Sequence, residues 1–290
     1  MNAILSPRTG VLALLAIATT FGSNHVAARI AFDHGTSVIT AVAIRSGFTA
    51  LFLLGLLRFS GVSLTLPRAT LGRACAIGLL IALQSYCLYS AVALIPVALA
   101  LLAFNTFPIL LAVFSWALLG ERPRPVALAA MPIALLGLSL ALDVFGKPVH
   151  PAGIAWALGA AVTFALALLL TARWLKEVDG RLRTFLMMSV TALVVLVAGL
   201  ASDAFAFPQA PAGWIGLTLL TVFYGVAITS VFIVLPHLGA ANYAVVLNFE
   251  PIAVLFLAWA ILGQVVAPLQ IVGAFIVVGA ITLAALRGGR

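Results

Sequence analysis

Long apolar stretches separated by short polar connections run along the whole 290-residue chain. Each stretch is close to, or longer than, the ~18 residues that cross a membrane as a helix. Most connections are only a few residues long, which favours antiparallel neighbouring helices. The pattern predicts an all-α protein with ten transmembrane helices, at residues 10–31, 36–57, 73–93, 97–119, 126–143, 152–173, 184–201, 213–234, 240–262 and 268–286.

Composition supports an integral membrane protein. Apolar residues make up 64% of the chain and charged residues 8%, whereas a soluble domain carries about 25% charged residues. The first apolar run, from Val11 to Ala31, is too long for the core of a signal peptide, so we interpret it as a retained span.

The basic residues predict the orientation. If Arg8 is cytoplasmic, twelve of the fifteen basic residues fall on the cytoplasmic side, with Lys147 in an outer loop and Arg29 and Arg45 inside spans. Lys and Arg mark the cytoplasmic ends of spans. We therefore expect a multi-pass protein of the cell (inner or plasma) membrane with both termini in the cytoplasm, and we attribute the net charge of +8 to topology and not to nucleic-acid binding.

The chain contains an internal repeat at an offset of 143 residues. Eight identities occur in twenty-one ungapped positions: Asn105, Pro108, Ile109, Trp116, Ala117, Leu119, Gly120 and Pro125 match Asn248, Pro251, Ile252, Trp259, Ala260, Leu262, Gly263 and Pro268. The repeat predicts two five-helix units, at residues 1–145 and 146–290. Because five is odd, the second unit would enter the bilayer from the opposite side, the inverted-repeat design of many secondary transporters.

Two charged side chains are predicted near the middle of the bilayer, where such groups need a partner or a function. Glu250 would act as a proton or substrate-amine partner, and Arg45 as a structural residue or a substrate-carboxylate partner. The structural alternative is that the two side chains pair with each other or with backbone groups and fix helix packing.

Pro108 and Pro251 occupy equivalent mid-span positions in spans four and nine, with Asn105 and Asn248 one turn earlier. Proline removes an intrahelical hydrogen bond and kinks a helix. Equivalent interruptions in both halves indicate a transport site, so we predict hinges at the prolines and substrate contacts at the asparagines. The alternative is that the prolines are ordinary for membrane helices and that the asparagines only join helices.

Further substrate contacts are predicted from polar and aromatic side chains within spans. His25 is a candidate proton switch, although a lone histidine is more often a packing residue, and Arg29 is close enough to the outer surface to extend its charge there. The predicted substrate-binding residues are Asn24, His25, Gln84, Tyr86, Asn105, Trp156, Tyr224, Tyr243, Asn248 and Glu250, with Tyr89 as a further cavity-lining candidate.

Several segments resemble the EamA type of the drug/metabolite transporter superfamily. They are Phe21-Gly22-Ser23-Asn24-His25-Val26-Ala27 in span one, Arg45 in span two, the stretch from Pro108 to Arg122, and the stretch from Glu250 to Gln264. Phe21 stands where the family usually has tryptophan, and Gln264 where it usually has glutamate, which leaves Glu121 as the acidic member of that pair. The resemblance implies ten helices, cytoplasmic termini and export of small metabolites, which in similar members include amino acids, some of them aromatic.

We therefore expect a secondary transporter that exports amino acids, with a preference for aromatic or hydrophobic ones, by alternating access through a central cavity. We expect no enzymatic activity, no cofactor and no metal, because no phosphate-binding loop or His-Glu-x-x-His motif occurs. A monomer suffices for the site, although a dimer is compatible with it. A carrier of sugars, nucleotide sugars or organic phosphates would want several buried cations, and only Arg45 lies at depth. A channel and a membrane enzyme are the alternatives from other classes.

Overall fold

Helices are the regular secondary structure of the described part of the chain, and turns and short loops connect them. The computed structural model describes residues 7–120, 150–238, 249–265 and 267–288, together with a few isolated positions between 129 and 140. Its helices are α1 (Pro7–Asp33), α2 (Val38–Phe59), α3 (Arg68–Leu94), α4 (Val97–Phe104), α5 (Phe107–Leu119), α6 (Pro151–Trp174), α7 (Gly180–Ala201), α8 (Pro211–Leu238), α9 (Glu250–Leu262) and α10 (Pro268–Gly288).

Six helical segments of the described chain are long and apolar enough to cross a membrane: α2, α3, α4 with α5, α6, α7 and residues 211–230 of α8. The segment 250–262 and residues 268–280 form shorter apolar helices. Most of the predicted fifth span and residues 240–248 of the ninth lie outside the residues that the structure describes. Within the described residues, the structure thus confirms an all-helical fold with multiple apolar spans, while the number of ten spans stays a prediction.

The offset of 143 residues found in the sequence also relates the helices. Adding it to the bounds of α1, α2, α3 and α5 reproduces those of α6, α7, α8 and α9 to within two residues. The equivalent helices α5 and α9 each have a proline at the start and end at a glycine with positive φ, Gly120 at 72° and Gly263 at 62°. Glycine adopts this left-handed conformation without steric cost, so it ends both helices.

Helices from the two halves pack against each other in equivalent pairs. Helix α1 packs on α8, and α3 packs on α6, which is the same pair at the repeat offset. In the same way, α1 contacts α9 while α6 contacts α5, and α2 contacts its own equivalent, α7. Small residues allow close contact, as where Gly216 of α8 faces the backbone of Ala27. The two halves therefore share one interior instead of forming separate bundles.

The structure corrects the prediction that Pro108 and Pro251 lie within single kinked helices. Pro108 is the second residue of α5, and Pro251 is the second residue of α9. At this position the missing N–H would have no intrahelical acceptor, so no hydrogen bond is lost. In span four the interruption comes earlier, at Asn105 and Thr106, where α4 ends and the chain turns into α5.

Candidate functional site

The histidine of α1 meets the carboxylate of α9. His25 Nε2 lies 3.4 Å from Glu250 Oε1, with side chains that are 7% and 24% exposed. The two helices approach closely because Gly22, one turn before His25, faces Val254, one turn after Glu250. The pair is an ion pair only when the imidazole is protonated. It therefore joins the N-terminal half to the C-terminal half through a bond whose strength depends on a proton.

Tyr89 of α3 lies behind this pair and is completely buried. Its hydroxyl donates a 2.8 Å hydrogen bond to Asn24 Oδ1, which satisfies the polar end of an aromatic side chain in the interior. Its ring meets the imidazole of His25 edge-on, with ring centroids 5.9 Å apart, and the ring of Phe32 at 5.7 Å. Tyr89 thus fixes the positions of both polar residues that α1 contributes.

Arg45 of α2 lies on the other side of Tyr89. Its guanidinium carbon is 4.8 Å from the centroid of the Tyr89 ring and 3.8 Å from that of Tyr224 in α8. Its Nη2 donates a 2.8 Å hydrogen bond to the hydroxyl of Ser85, and the side chain is buried. The two aromatic faces stabilise the cation through its attraction to their π electrons. Phe21 meets Tyr224 edge-on at 6.1 Å and continues the aromatic wall.

We call this group the central cluster, and define it by its six members: Asn24, His25, Arg45, Tyr89, Tyr224 and Glu250. Its residues come from α1, α2, α3, α8 and α9, so both halves contribute. The suggestion that Arg45 and Glu250 pair with each other is not what the structure shows. Within the described residues, the ion-pair partner of Glu250 is His25, and Arg45 has no carboxylate within 4.0 Å.

Other predicted residues have different surroundings. Tyr86 and Trp156 form an edge-to-face pair 5.7 Å apart, and Tyr86 lines an apolar groove of about 330 Å³ between α2, α3 and α7. Asn105 donates from Nδ2 to the carbonyl of Leu101 in its own helix, at 2.7 Å. Gln84 is buried and accepts a weak 3.4 Å hydrogen bond from Ser85, so it touches the cluster through that residue. Tyr243 and Asn248 lie outside the described residues.

Helical spacing explains which residues of α3 reach the cluster. Ser85 and Tyr89 are four residues apart and therefore share one face of the helix, whereas Tyr86 is turned by about 100° from Ser85. The sequence pattern did not single out Ser85, and it placed Tyr86 among the predicted substrate-binding residues and Tyr89 only as a further candidate. The i, i+4 spacing of a serine and a tyrosine was the available signal.

Comparisons with known proteins agree with this architecture. The EamA-like transporter family matches the chain twice, over residues 8–142 and 151–286. One solved structure, described only as the crystal structure of a protein, matches with a TM-score of 0.66 and 20% identity, over 97% of this chain and 98% of that one. At that identity the likeness shows the fold alone. A search among curated proteins gave no match. Because the two family matches together cover nearly the whole chain, the protein belongs to the EamA-like transporter family.

Proposed function

We propose that this protein is a secondary transporter that exports amino acids, with a preference for aromatic or hydrophobic side chains, and that the central cluster is its substrate site. Membership of the family already indicates a membrane transporter of small solutes. The choice of substrate rests on one observation. The cluster contains a carboxylate and a guanidinium that do not neutralise each other, since Glu250 pairs with His25 and Arg45 contacts two tyrosine rings.

An amino acid is chemically complementary to that arrangement. Its ammonium group suits the Glu250 carboxylate, its carboxylate suits a cation, and a hydrophobic side chain suits the wall formed by Tyr224 and Phe21. A phosphate-bearing substrate fits less well. It would want several cationic groups, and among the cluster residues only Arg45 carries a permanent positive charge.

Alternating access is the mechanism that the packing favours. The equivalent pairs α1 with α8 and α6 with α3 would allow each half to adopt the conformation of the other. Residues around Pro108 and Pro251, where α5 and α9 begin, are the proposed hinges. The proposal includes inverted orientation of the two repeats, cytoplasmic termini, location in the cell membrane and a site that is complete in one monomer.

Counterflow into proteoliposomes tests the proposal. Vesicles are loaded with an unlabelled amino acid and uptake of the same radiolabelled amino acid is followed, with and without a pH gradient. A carrier gives transient accumulation of label, which is limited to certain side chains, whereas a channel only equilibrates it. The absence of counterflow for the full set of amino acids, with folded protein, would refute this substrate class.

A further inference from the structure

The guanidinium of Arg45 packs against two tyrosine rings and uses only part of its hydrogen-bonding capacity. The centroids of the Tyr89 and Tyr224 rings lie 4.8 Å and 3.8 Å from its central carbon. Its Nη2 donates a 2.8 Å hydrogen bond to the hydroxyl of Ser85. The Nε atom is buried and has no hydrogen-bond partner among the residues that the structure describes.

The described carboxylates leave this cation without a counter-ion. Glu250 is paired with His25, and Asp33 is paired with Arg29, at 2.9 Å. A charged group that is 4% exposed and unpaired is costly, and the aromatic faces offset only part of that cost. The position of Arg45 therefore favours an anion that comes from outside the protein.

A second donor without a partner lies on the same tyrosine. Asn24 uses Oδ1 to accept the hydroxyl hydrogen of Tyr89, and its Nδ2 is buried with no partner in the described part of the chain. The amide oxygen of Asn24 faces the Tyr89 hydroxyl, so the NH2 group, which can only donate, points away from that hydroxyl. Tyr89 thus contacts one residue with a neutral donor, Asn24 of α1, and one with a charged donor, Arg45 of α2.

We propose that Arg45 Nε and Asn24 Nδ2 form a carboxylate subsite, and that Tyr89 is its positioning residue. The ligand class is an organic monocarboxylate, which in the proposed function is the carboxylate of an aromatic or hydrophobic amino acid. A carboxylate presents two oxygens, so it can accept from both donors at once. This inference rests on the proposed function for the identity of the substrate, but not for the recognition of the carboxylate.

The test compares two ligands that differ in the carboxylate alone. Phenylalanine and phenethylamine share the ring and the amine, and each competes against labelled phenylalanine in counterflow. Wild-type protein should favour phenylalanine, and Arg45→Gln should weaken phenylalanine by roughly 10- to 100-fold, the range for one charged hydrogen bond. Phenethylamine should compete as before. Equal weakening of both ligands would make Arg45 a packing residue and overturn the subsite.

Two further variants keep the test decisive if Arg45→Gln does not fold. Asn24→Asp preserves the acceptor for Tyr89 and replaces the donor with an oxygen that repels a carboxylate, so it should reproduce the selective loss. Arg29→Gln is the matched control, because Arg29 is another arginine of an apolar helix but contacts Asp33 and the carbonyls of Val92 and Ala93. It should keep the wild-type preference. An unchanged preference in Asn24→Asp would contradict the role of Asn24.

A binding measurement separates this subsite from the proposed function. In detergent, 3-phenylpropionate should raise the melting temperature of the wild-type protein and not that of Arg45→Gln. Stabilisation without any amino-acid counterflow would refute amino-acid export and support the carboxylate subsite. Counterflow of amino acids with no effect of Arg45→Gln on ligand preference would support amino-acid export and refute the carboxylate subsite.

Discussion

The contact between α1 and α9 yields a quantitative prediction at Gly22. A Cβ atom at this buried position would lie 2.7 Å from Val254 Cγ2 and 3.6 Å from the carbonyl oxygen of Glu250. Carbon atoms in contact prefer about 3.5–4.0 Å, so Gly22→Ala is short of space by about 1 Å. Valine in a helix is confined to one main rotamer, and Val254 is fully buried. The helices themselves must therefore move apart.

The expected cost is that of overpacking, about 1–3 kcal/mol. Replacing glycine by alanine inside a helix also stabilises the folded protein by about 0.5–1 kcal/mol. A control substitution must therefore account for this opposing effect. Gly47 of α2 provides it, because a Cβ there meets nothing within 4 Å. We expect Gly22→Ala to be less stable than Gly47→Ala by about 1–3 kcal/mol, measured by thermal unfolding in detergent.

A second substitution tests the cause. Val254→Ala removes the methyl group that the new Cβ would meet, so the double variant should be more stable than the two single effects predict. Separation of the helices should also lengthen the 3.4 Å contact between His25 and Glu250, so transport should fall in Gly22→Ala and recover in the double variant. The reasoning is refuted if Gly22→Ala equals Gly47→Ala in stability and Val254→Ala brings no relief.

Three other predictions concern single side chains. Glu250→Gln removes the carboxylate that contacts His25 and should reduce counterflow and change its pH dependence in a folded protein; wild-type rates with the same pH profile would make the residue idle. Tyr89→Phe leaves the buried Oδ1 of Asn24 without its donor and should lower the free energy of unfolding by about 1–3 kcal/mol, so an unaltered melting temperature would contradict it. Asp179 caps α7, and a hydrogen bond from Arg181 lowers the pKa of its carboxyl. Its stabilisation is thus present above the unfolded pKa of about 3.9 and lost as pH falls through the lower folded value, so Asp179→Ala should lower the melting temperature at pH 7 but much less at pH 2; an equal effect at both would be the contrary result.

Hydrophobic pattern was sufficient for the position of most helices. The predicted span at 152–173 corresponds to α6, and that at 268–286 to α10. Boundaries shifted where the polar sequence continues a helix, as at α3, which begins at Arg68 and not at residue 73. The break at Asn105 was missed because apolar residues on both sides hide it. The prediction placed the interruption at Pro108, about one turn too late.

Part of the central cluster could also be predicted from the sequence. Asn24, His25, Arg45 and Glu250 are polar groups in apolar helices, and their cost in a membrane marks them without any structure. Their contact partners could not be predicted from the sequence, because contacts between α1 and α9 depend on how helices pack across the two halves. The close approach of α1 and α9 at Gly22 brings Glu250 to His25.

The repeat preserves helix packing in both halves, but four polar residues of the central cluster have apolar counterparts in the other half. At the offset of 143 residues, Asn24, His25, Arg45 and Glu250 correspond to Ala167, Leu168, Met188 and Phe107. The contact of α6 with α5, equivalent to that of α1 with α9, holds Phe164 against Phe107 with ring centroids 4.8 Å apart. One contact is thus polar and its counterpart aromatic. If the halves exchange conformations during transport, a substrate with a polar end and an apolar end meets a complementary surface on each side, whereas a uniformly polar solute meets only one.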